Sequence, residues 1–143
     1  MTSTTAAATG LRVRDLMTHP PVTCGTSASM DAVLRVMAEY DCGTLLVVDA
    51  TGRLAGIIAE DDVCRAMLEF GTGLRQLSVK DIMSPQVFSC SPDDAADVAQ
   101  EIMRDLHLGR LPVTDEFGRP VGVLWMDALG LSGRSPALRS HAS

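Results

Sequence analysis

Three consecutive carboxylates, Glu60, Asp61 and Asp62, stand at the predicted start of a helix. The positive end of a helix dipole stabilises negative charge, so a solvated helix start is the plainer interpretation of Glu60 and Asp61. As a functional feature, the same cluster repels a polyphosphate unless Mg²⁺ bridges the two.

The four cysteines are the candidate nucleophiles and metal ligands. Cys24, Cys42, Cys64 and Cys90 are 18, 22 and 26 residues apart, which excludes CxxC pairs and the close spacing of structural zinc sites. We expect free thiols in a reducing cytosol. Cys24 and Cys90 either fill the core or sense oxidation, and core filling is the favoured interpretation.

Other signatures of catalysis are missing from the sequence. The three histidines, His19, His107 and His141, are dispersed and make no metal constellation. The chain has no nucleophile elbow, no Walker loop and no HExxH motif. The sequence therefore predicts a protein that is not an enzyme, holds no metal site and requires no cofactor.

Composition and charge exclude further classes of function. With 18 acidic and 12 basic side chains the net charge is −6, and no Lys/Arg cluster could neutralise a nucleic-acid backbone. No apolar run has the roughly 20 residues of a membrane span, and the first ten residues lack the pattern of a signal peptide. We therefore expect a cytoplasmic protein that binds neither nucleic acid nor membrane.

An internal repeat determines how the candidate residues are positioned. Asp15-Leu16-Met17 recurs as Asp81-Ile82-Met83, an offset of 66 residues. The offset holds without a gap as far as Asp61 and Asp127. Such a register predicts two similar units that bury a shared apolar surface about a pseudo-two-fold axis.

The repeat also predicts the organisation of the whole chain. We expect a first repeat over 11–70 and a second over 79–131, with a linker over 71–78 between them. The flanking segments 1–10 and 132–143 are rich in Ser, Thr, Ala and Gly without periodicity, so we expect flexible tails there.

Each copy has the pattern of a β-α-β-β-α unit, so the predicted fold class is α/β, in the α+β sense. In the first copy, strands are predicted over 21–24, 44–48 and 54–59, and the second helix from Glu60 to about Phe70. In the second copy, a strand over 87–90 precedes a helix for which Ser91 is the predicted N-cap.

Three ordered features of the chain point to a known family. They are the openers Asp15-Leu16-Met17-Thr18 and Asp81-Ile82-Met83-Ser84, the hairpin run Leu111-Pro112-Val113-Thr114-Asp115, and the run Gly56-Ile57-Ile58-Ala59-Glu60-Asp61-Asp62. Together they resemble tandem CBS domains, named after cystathionine β-synthase. The resemblance covers nearly all of the chain except the predicted tails.

The resemblance implies a Bateman module with two clefts between its repeats. In the family such clefts commonly bind AMP, ADP, ATP, NAD or S-adenosylmethionine, and the modules often form homodimers. Attached modules act as regulatory sensors. Because the two copies occupy most of this sequence, we expect that any regulated protein is a separate partner.

In the first cleft, the resemblance implies a nucleotide signature G-h-h-[ST]-x-x-D, where h is apolar. This chain has Gly56-Ile57-Ile58, then Ala59 at the Ser/Thr position and Asp62 at the Asp position. A carboxylate can accept hydrogen bonds from both ribose hydroxyls, so the ribose half of the signature is kept and the phosphate half is weakened. The predicted ligand-binding residues are Thr18, His19, Val22, Thr23, Leu45, Leu46, Ile58, Ala59 and Asp62, and Leu45 and Ile58 are expected to be core residues as well.

The second cleft departs further from the signature, with Trp125 at the Ser/Thr position and Ala128 at the Asp position. Trp125 either plugs this cleft or stacks on a base, and the plug is favoured because large aromatic side chains more often fill space. The residues predicted for this weaker cleft are Val87, Ser89, Arg110, Leu111, Pro112, Leu124 and Trp125.

The leading hypothesis is a non-catalytic sensor that binds one adenosine-type ligand, with Mg²⁺ if that ligand is a polyphosphate, and signals to a partner protein. The alternative is a ligand-free dimeric adaptor whose nucleotide sites have degenerated. A redox-responsive module acting through Cys24 and Cys90 is the third hypothesis.

Overall fold

The computed structural model describes residues 10–85 and 88–126. The chain divides into two compact units. The middle unit is Pro21–Val87, and the terminal unit combines Met1–Pro20 with Phe88–Ser143. The opener of the second repeat therefore belongs to the middle unit, with the body of the first repeat, and the opener of the first repeat belongs to the terminal unit.

Short helices and short strands make up both units, so the predicted mixed α+β class is confirmed. In chain order they are α1 (Val13–Leu16), β1 (Thr23–Gly25), α2 (Met30–Tyr40), β2 (Thr44–Val48), β3 (Leu54–Ala59), α3 (Glu60–Phe70), a 3-10 helix (Gly71–Gln76), α4 (Val79–Ile82), α5 (Ala96–Asp105), β4 (Arg110–Thr114) and β5 (Pro120–Trp125). The hairpin of the first repeat and α3 have the predicted bounds. Among the described residues, no helix is long and apolar enough to cross a membrane.

The middle unit contains a sheet of order β1-β2-β3, in which β1 is parallel and β3 antiparallel to β2. Thr23 is paired with Leu46, which is paired in turn with Ile57. Because paired residues share a face and neighbours along a strand alternate, these three side chains lie on one face. Leu45 and Ile58 lie on the other face, which packs into the core of this unit.

Helix α2 covers that core. It begins at Met30 because the Ser29 hydroxyl accepts a hydrogen bond from the Ala32 amide at 3.1 Å, which satisfies one of the free donors at a helix start. The fully buried members of the core on α2, the sheet and the segment after α3 are Met30, Val33, Leu45, Val47, Ile58, Leu74 and Val79. The core is aliphatic, as the low aromatic content of 3% requires.

Helix α3 follows β3 directly and ends at Phe70, and its C-cap residue Gly71 has a φ of 57°, which suits a glycine. The segment 71–78, which we expected to be a linker, contains the 3-10 helix. Leu74 in that helix is fully buried in the core of the middle unit. This segment therefore packs as part of the unit.

The opener of the second repeat packs against β3 through Gly56. A Cβ at Gly56 would lie 2.6 Å from Met83 Sδ and 2.9 Å from the Ser84 carbonyl oxygen, so no larger residue fits. The Ser84 amide donates to the Ile57 carbonyl at 2.9 Å, and the Ile57 amide donates to the Ser84 carbonyl at 2.9 Å. These two bonds fix the opener along β3.

The terminal unit repeats this arrangement. Thr18 pairs with Val123 of β5, and a Cβ at Gly122 would lie 2.7 Å from Met17 Sδ. Strands β4 and β5 form an antiparallel hairpin. The buried core of the terminal unit consists of Val13, Cys90, Ala99, Met103, Leu111, Val113 and Leu124.

The prediction that Ser91 caps the helix of the second repeat is wrong. Helix α5 begins at Ala96, with Ala95 as its N-cap residue. Ser91 instead closes a turn, in which its amide donates to Asp94 Oδ2 at 2.9 Å, and Ala95 is held in extended conformation by a bridge to Arg12. In the strand predicted over 87–90, Cys90 forms a parallel bridge with Val113.

Candidate functional site

Asp62 is a buried charged side chain in the first turn of α3, only 7% exposed to solvent. The Ala59 amide donates to Asp62 Oδ2 at 2.9 Å, which satisfies the N-cap amide of the helix. The positive end of the α3 dipole favours the negative charge at this place. These two effects fix the side chain of Asp62 at the end of β3.

The other carboxylate oxygen has two side-chain donors. Arg65 Nη2 donates to Asp62 Oδ1 at 2.7 Å, and the Ser84 hydroxyl donates to the same oxygen at a long 3.4 Å. Arg65 Nη1 also lies 3.8 Å from Asp61 Oδ2. A buried charge needs such compensation, because its desolvation is otherwise strongly unfavourable.

Five of the predicted site residues lie in the sheet that leads to Asp62, and Val22 directly precedes its first strand; the five are Thr23, Leu45, Leu46, Ile58 and Ala59. Leu45 and Ile58 belong to the hydrophobic core, as expected, and Val22 packs against that core. The side chains of Thr23 and Leu46 are on the opposite face. Between the strands, the Val22 carbonyl accepts from the Leu46 amide at 3.0 Å. Ala59, at the end of the same sheet, pairs with Thr44.

Thr18 and His19, which were predicted to bind the ligand together with Asp62, belong to the terminal unit. There the Thr18 hydroxyl donates to the Val123 carbonyl at 3.2 Å, and His19 is exposed. Within the middle unit, the opener hydroxyl beside Asp62 is that of Ser84, which sequence reasoning did not select. The offset of 66 pairs Thr18 with Ser84, so the repeat contained a signal for this residue.

In the terminal unit, the Trp125 indole N–H donates to Thr18 Oγ1 at 3.2 Å. Arg110 is the cross-strand partner of Trp125, and the Thr114 hydroxyl donates to the Ser89 hydroxyl at 3.3 Å. Leu111 and Leu124 are core residues, and the Pro112 carbonyl accepts from the Cys90 amide. Val87, Asp127 and Ala128 lie outside the described residues. Both interpretations of Trp125, plug and stacking surface, stay open.

Cys24 and Cys90 are poor candidates for thiol chemistry. Burial raises the pKa of Cys24 to about 11. Burial, and to a smaller extent the nearby Asp94 charge, raise the pKa of Cys90 to about 12. Reactive thiols need a lowered pKa, so both residues act as apolar core side chains. Nowhere in 10–85 or 88–126 do three His, Cys, Asp or Glu side chains come together in a way that could hold a metal ion.

A comparison with protein families identifies the fold. The sequence profile of the CBS domain matches residues 13–69 and 79–124. The chain belongs to the CBS domain family, with two copies of the domain. The resemblance deduced from the openers and hairpins is therefore confirmed.

Curated relatives include longer enzymes. The chain is 35% identical over 128 residues to the arabinose 5-phosphate isomerase KdsD of Pseudomonas aeruginosa, a match that covers 86% of this chain and 38% of the isomerase. It is 25% identical over 112 residues to the L-aspartate semialdehyde sulfurtransferase of Methanocaldococcus jannaschii, covering 78% of this chain and 21% of that enzyme. The chain thus spans well under half the length of these relatives.

Solved structures of CBS domains share the fold. The CBS domain of a CBS domain containing membrane protein from Sphaerobacter thermophilus has a TM-score of 0.76 and 29% identity, covering 90% of this chain and 91% of that one. The CBS domain pair of protein MJ0100, in complex with 5′-methylthioadenosine and S-adenosyl-L-methionine, has a TM-score of 0.73 and 24% identity, covering 86% and 96%. CBSX2 in complex with AMP has a TM-score of 0.71 and 22% identity, covering 87% and 96%.

Proposed function

We propose that this chain is a non-catalytic regulatory module whose middle unit binds an adenosine-containing ligand through Asp62. The observation that carries the proposal is the buried Asp62 carboxylate, with one oxygen held by the Ala59 amide and the other by displaceable side chains. An ionised carboxylate accepts strong hydrogen bonds, and the two vicinal hydroxyls of a ribose offer two donors to it.

Binding replaces the weakest contact at this place. The Ser84 hydroxyl is 3.4 Å from Asp62 Oδ1, so a ribose hydroxyl can take its position at little cost. The base is then expected to lie against the exposed Thr23 on the edge strand β1, where the strand backbone offers the polar groups that a purine needs; Leu46 beside it is fully buried. The relatives bound to AMP, 5′-methylthioadenosine or S-adenosyl-L-methionine support this ligand class.

Occupancy of the site biases a conformational equilibrium that a separate partner protein reads. The same proposal includes a homodimer, a cytoplasmic location, and repeats over 11–70 and 79–131. Mg²⁺ belongs to it only if the ligand is a polyphosphate, because the ribose contact needs no metal.

The experiment is thermal unfolding of the chain with AMP, ADP, ATP, NAD, NADH and S-adenosylmethionine, each with and without Mg²⁺. A ligand present at about 100 times its dissociation constant stabilises the folded chain by about 2.7 kcal/mol, which raises the melting temperature by several degrees. The shift should disappear in Asp62→Asn. The matched control is Asp81→Asn, because Asp81 accepts the same kind of capping bond, from the Ser78 amide, in the same unit. The shift should persist in this variant, since Asp81 is not part of the proposed site.

Absence of any shift at millimolar ligand would contradict the proposal. The alternative function is then a ligand-free dimeric adaptor. The observation that favours this alternative is Trp125, whose indole occupies the position equivalent to Ala59 and is anchored on Thr18. Pull-down of a partner protein that is unaffected by Asp62→Asn would support the adaptor.

A further inference from the structure

Two backbone donors beside Asp62, the amides of Ala59 and Glu60, already have acceptors. The Ala59 amide donates to Asp62 Oδ2, and the Glu60 amide donates to the Gly43 carbonyl at 3.0 Å. An anion bound at a helix start needs such amide groups. With these two amides engaged, the chemistry that the first turn of α3 presents is dominated by carboxylate oxygens, which suit the hydroxyls of a ribose and oppose the oxygens of a phosphate.

Two further carboxylates lie beside Asp62. Glu60 and Asp61 are exposed in the first turn of α3, and the Glu60 side chain lies over Gly43. The cation in contact with Asp62 is Arg65, which also faces Asp61. A phosphate that recruited Arg65 would remove the ion-pair partner of the buried Asp62 charge, which is unfavourable.

We propose that the middle unit selects adenosine compounds whose 5′ substituent is uncharged or positively charged, and discriminates against phosphate esters. This inference rests on the proposed ribose contact with Asp62. Only one furanose ring separates the 5′ carbon from the hydroxyls held there, so the 5′ substituent lies within a Debye length, about 8 Å, of the three carboxylates. Each negative charge on the ligand is therefore repelled, and a positive charge is attracted.

The test is isothermal titration calorimetry of the full chain with four compounds that differ at the 5′ position: 5′-amino-5′-deoxyadenosine, adenosine, AMP and ATP. The amino compound and adenosine should each bind at least tenfold more tightly than AMP, and ATP should bind most weakly. The differences should shrink between about 0.05 M and about 0.5 M salt, because salt screens exposed charges. Mg²⁺ should not reverse the order.

Matched variants assign the selectivity to these side chains. The double variant Glu60→Gln/Asp61→Asn should lower the preference for adenosine over ATP, measured as the ratio of their affinities, by about tenfold. The control is Glu69→Gln, which removes an exposed negative charge from the other end of α3 and should leave that ratio unchanged.

The outcomes separate this inference from the proposed function. If AMP or ATP, with or without Mg²⁺, binds as tightly as adenosine, the selectivity is refuted while the nucleotide site stands. An unchanged ratio in the double variant also refutes it. If none of the four compounds binds, the proposed function fails and the inference fails with it.

Discussion

Asp62 and Arg65 form an ion pair of unequal partners. The carboxylate is buried, whereas the Arg65 side chain is 67% exposed. Water can therefore replace part of what the guanidinium contributes, and the pair is weaker than one buried on both sides. The same exposure leaves Arg65 able to move when a ligand approaches Asp62.

Arg65→Ala should lower the free energy of unfolding by about 1 kcal/mol, because a hydrogen bond to a buried charge is lost. Arg35→Ala removes a surface partner of Asp31 and should cost no more than about 0.5 kcal/mol. Urea unfolding of both variants measures the difference. Equal losses of unfolding free energy in the two variants would contradict the view that Arg65 stabilises the buried Asp62 carboxylate.

Asp49 in the first hairpin turn predicts a dependence of stability on pH. Its pKa is lowered, chiefly by the hydrogen bond from the Thr51 hydroxyl at 2.6 Å and then by the Arg53 amide. The ionised form is thus favoured in the folded chain, so Asp49 stabilises the fold above its ordinary pKa of 3.8 and loses this effect as the pH falls through the lower folded pKa.

The variant Asp49→Asn should therefore be less stable than the unchanged chain at about pH 6, and the gap should close towards about pH 2.5. Asp115→Asn, at the equivalent turn, should behave alike, because amide hydrogen bonds from Arg119 and Phe117 lower the pKa of Asp115. The measurement is urea unfolding across this pH range. A gap that stays constant with pH would contradict the assignment.

Each opener is an element whose packing partner is the body of the other repeat. In the middle unit, this contact is possible because Gly56 has no side chain. Met83 and Ser84 come close to the place that a Cβ at Gly56 would occupy. Gly56→Ala should lower the free energy of unfolding by about 2 kcal/mol through overpacking. Gly73→Ala is the control, because a Cβ there meets nothing within 4 Å, and it should change stability by less than about 0.5 kcal/mol.

Thermal or urea unfolding of these two glycine variants separates close packing from general intolerance of a side chain. If Gly56→Ala were as stable as Gly73→Ala, the opener would not be packed against β3 as described.

Local signals in the sequence were enough for some elements. The hairpin of the first repeat and α3 were predicted with their observed bounds, because two apolar runs flank a turn and a run of acids marks the helix start. The start of α5 was missed because Ser91 and Pro92 resemble a helix start, whereas the bridge between Ala95 and Arg12 decides it. The repeat offset of 66 pairs Ala95 with Ser29, the N-cap residue of α2, and therefore indicated the correct start of α5.

The candidate site was also predictable only in part, because one of its contacts joins residues that are distant in sequence. Asp62 and Ala59 are neighbours in sequence, so the resemblance could point to them. Ser84 lies 22 residues from Asp62 and reaches it only because the second opener packs on β3. Such a contact depends on tertiary packing, which neither periodicity nor spacing within one repeat reveals.

At the scale of the whole molecule, both units contain a helix followed by an antiparallel hairpin with an opener packed on it, and they differ in polar chemistry. The middle unit has the buried Asp62 carboxylate, and the terminal unit has Trp125 on Thr18. We therefore expect one ribose-binding site per chain. The reactions of the longer enzymes that match this chain do not follow from the match, which covers 38% of one and 21% of the other.

The most direct test of the central claim compares adenosine with 2′,3′-dideoxyadenosine on the unchanged chain and on Asp62→Asn, by calorimetry. If Asp62 holds the ribose hydroxyls, the unchanged chain should bind about one adenosine and prefer it to the dideoxy compound by about a hundredfold or more. Asp62→Asn should lose most of that preference, and Asp81→Asn should keep it. Equal affinity of the unchanged chain for both compounds, or a preference that survives in Asp62→Asn, would contradict the account.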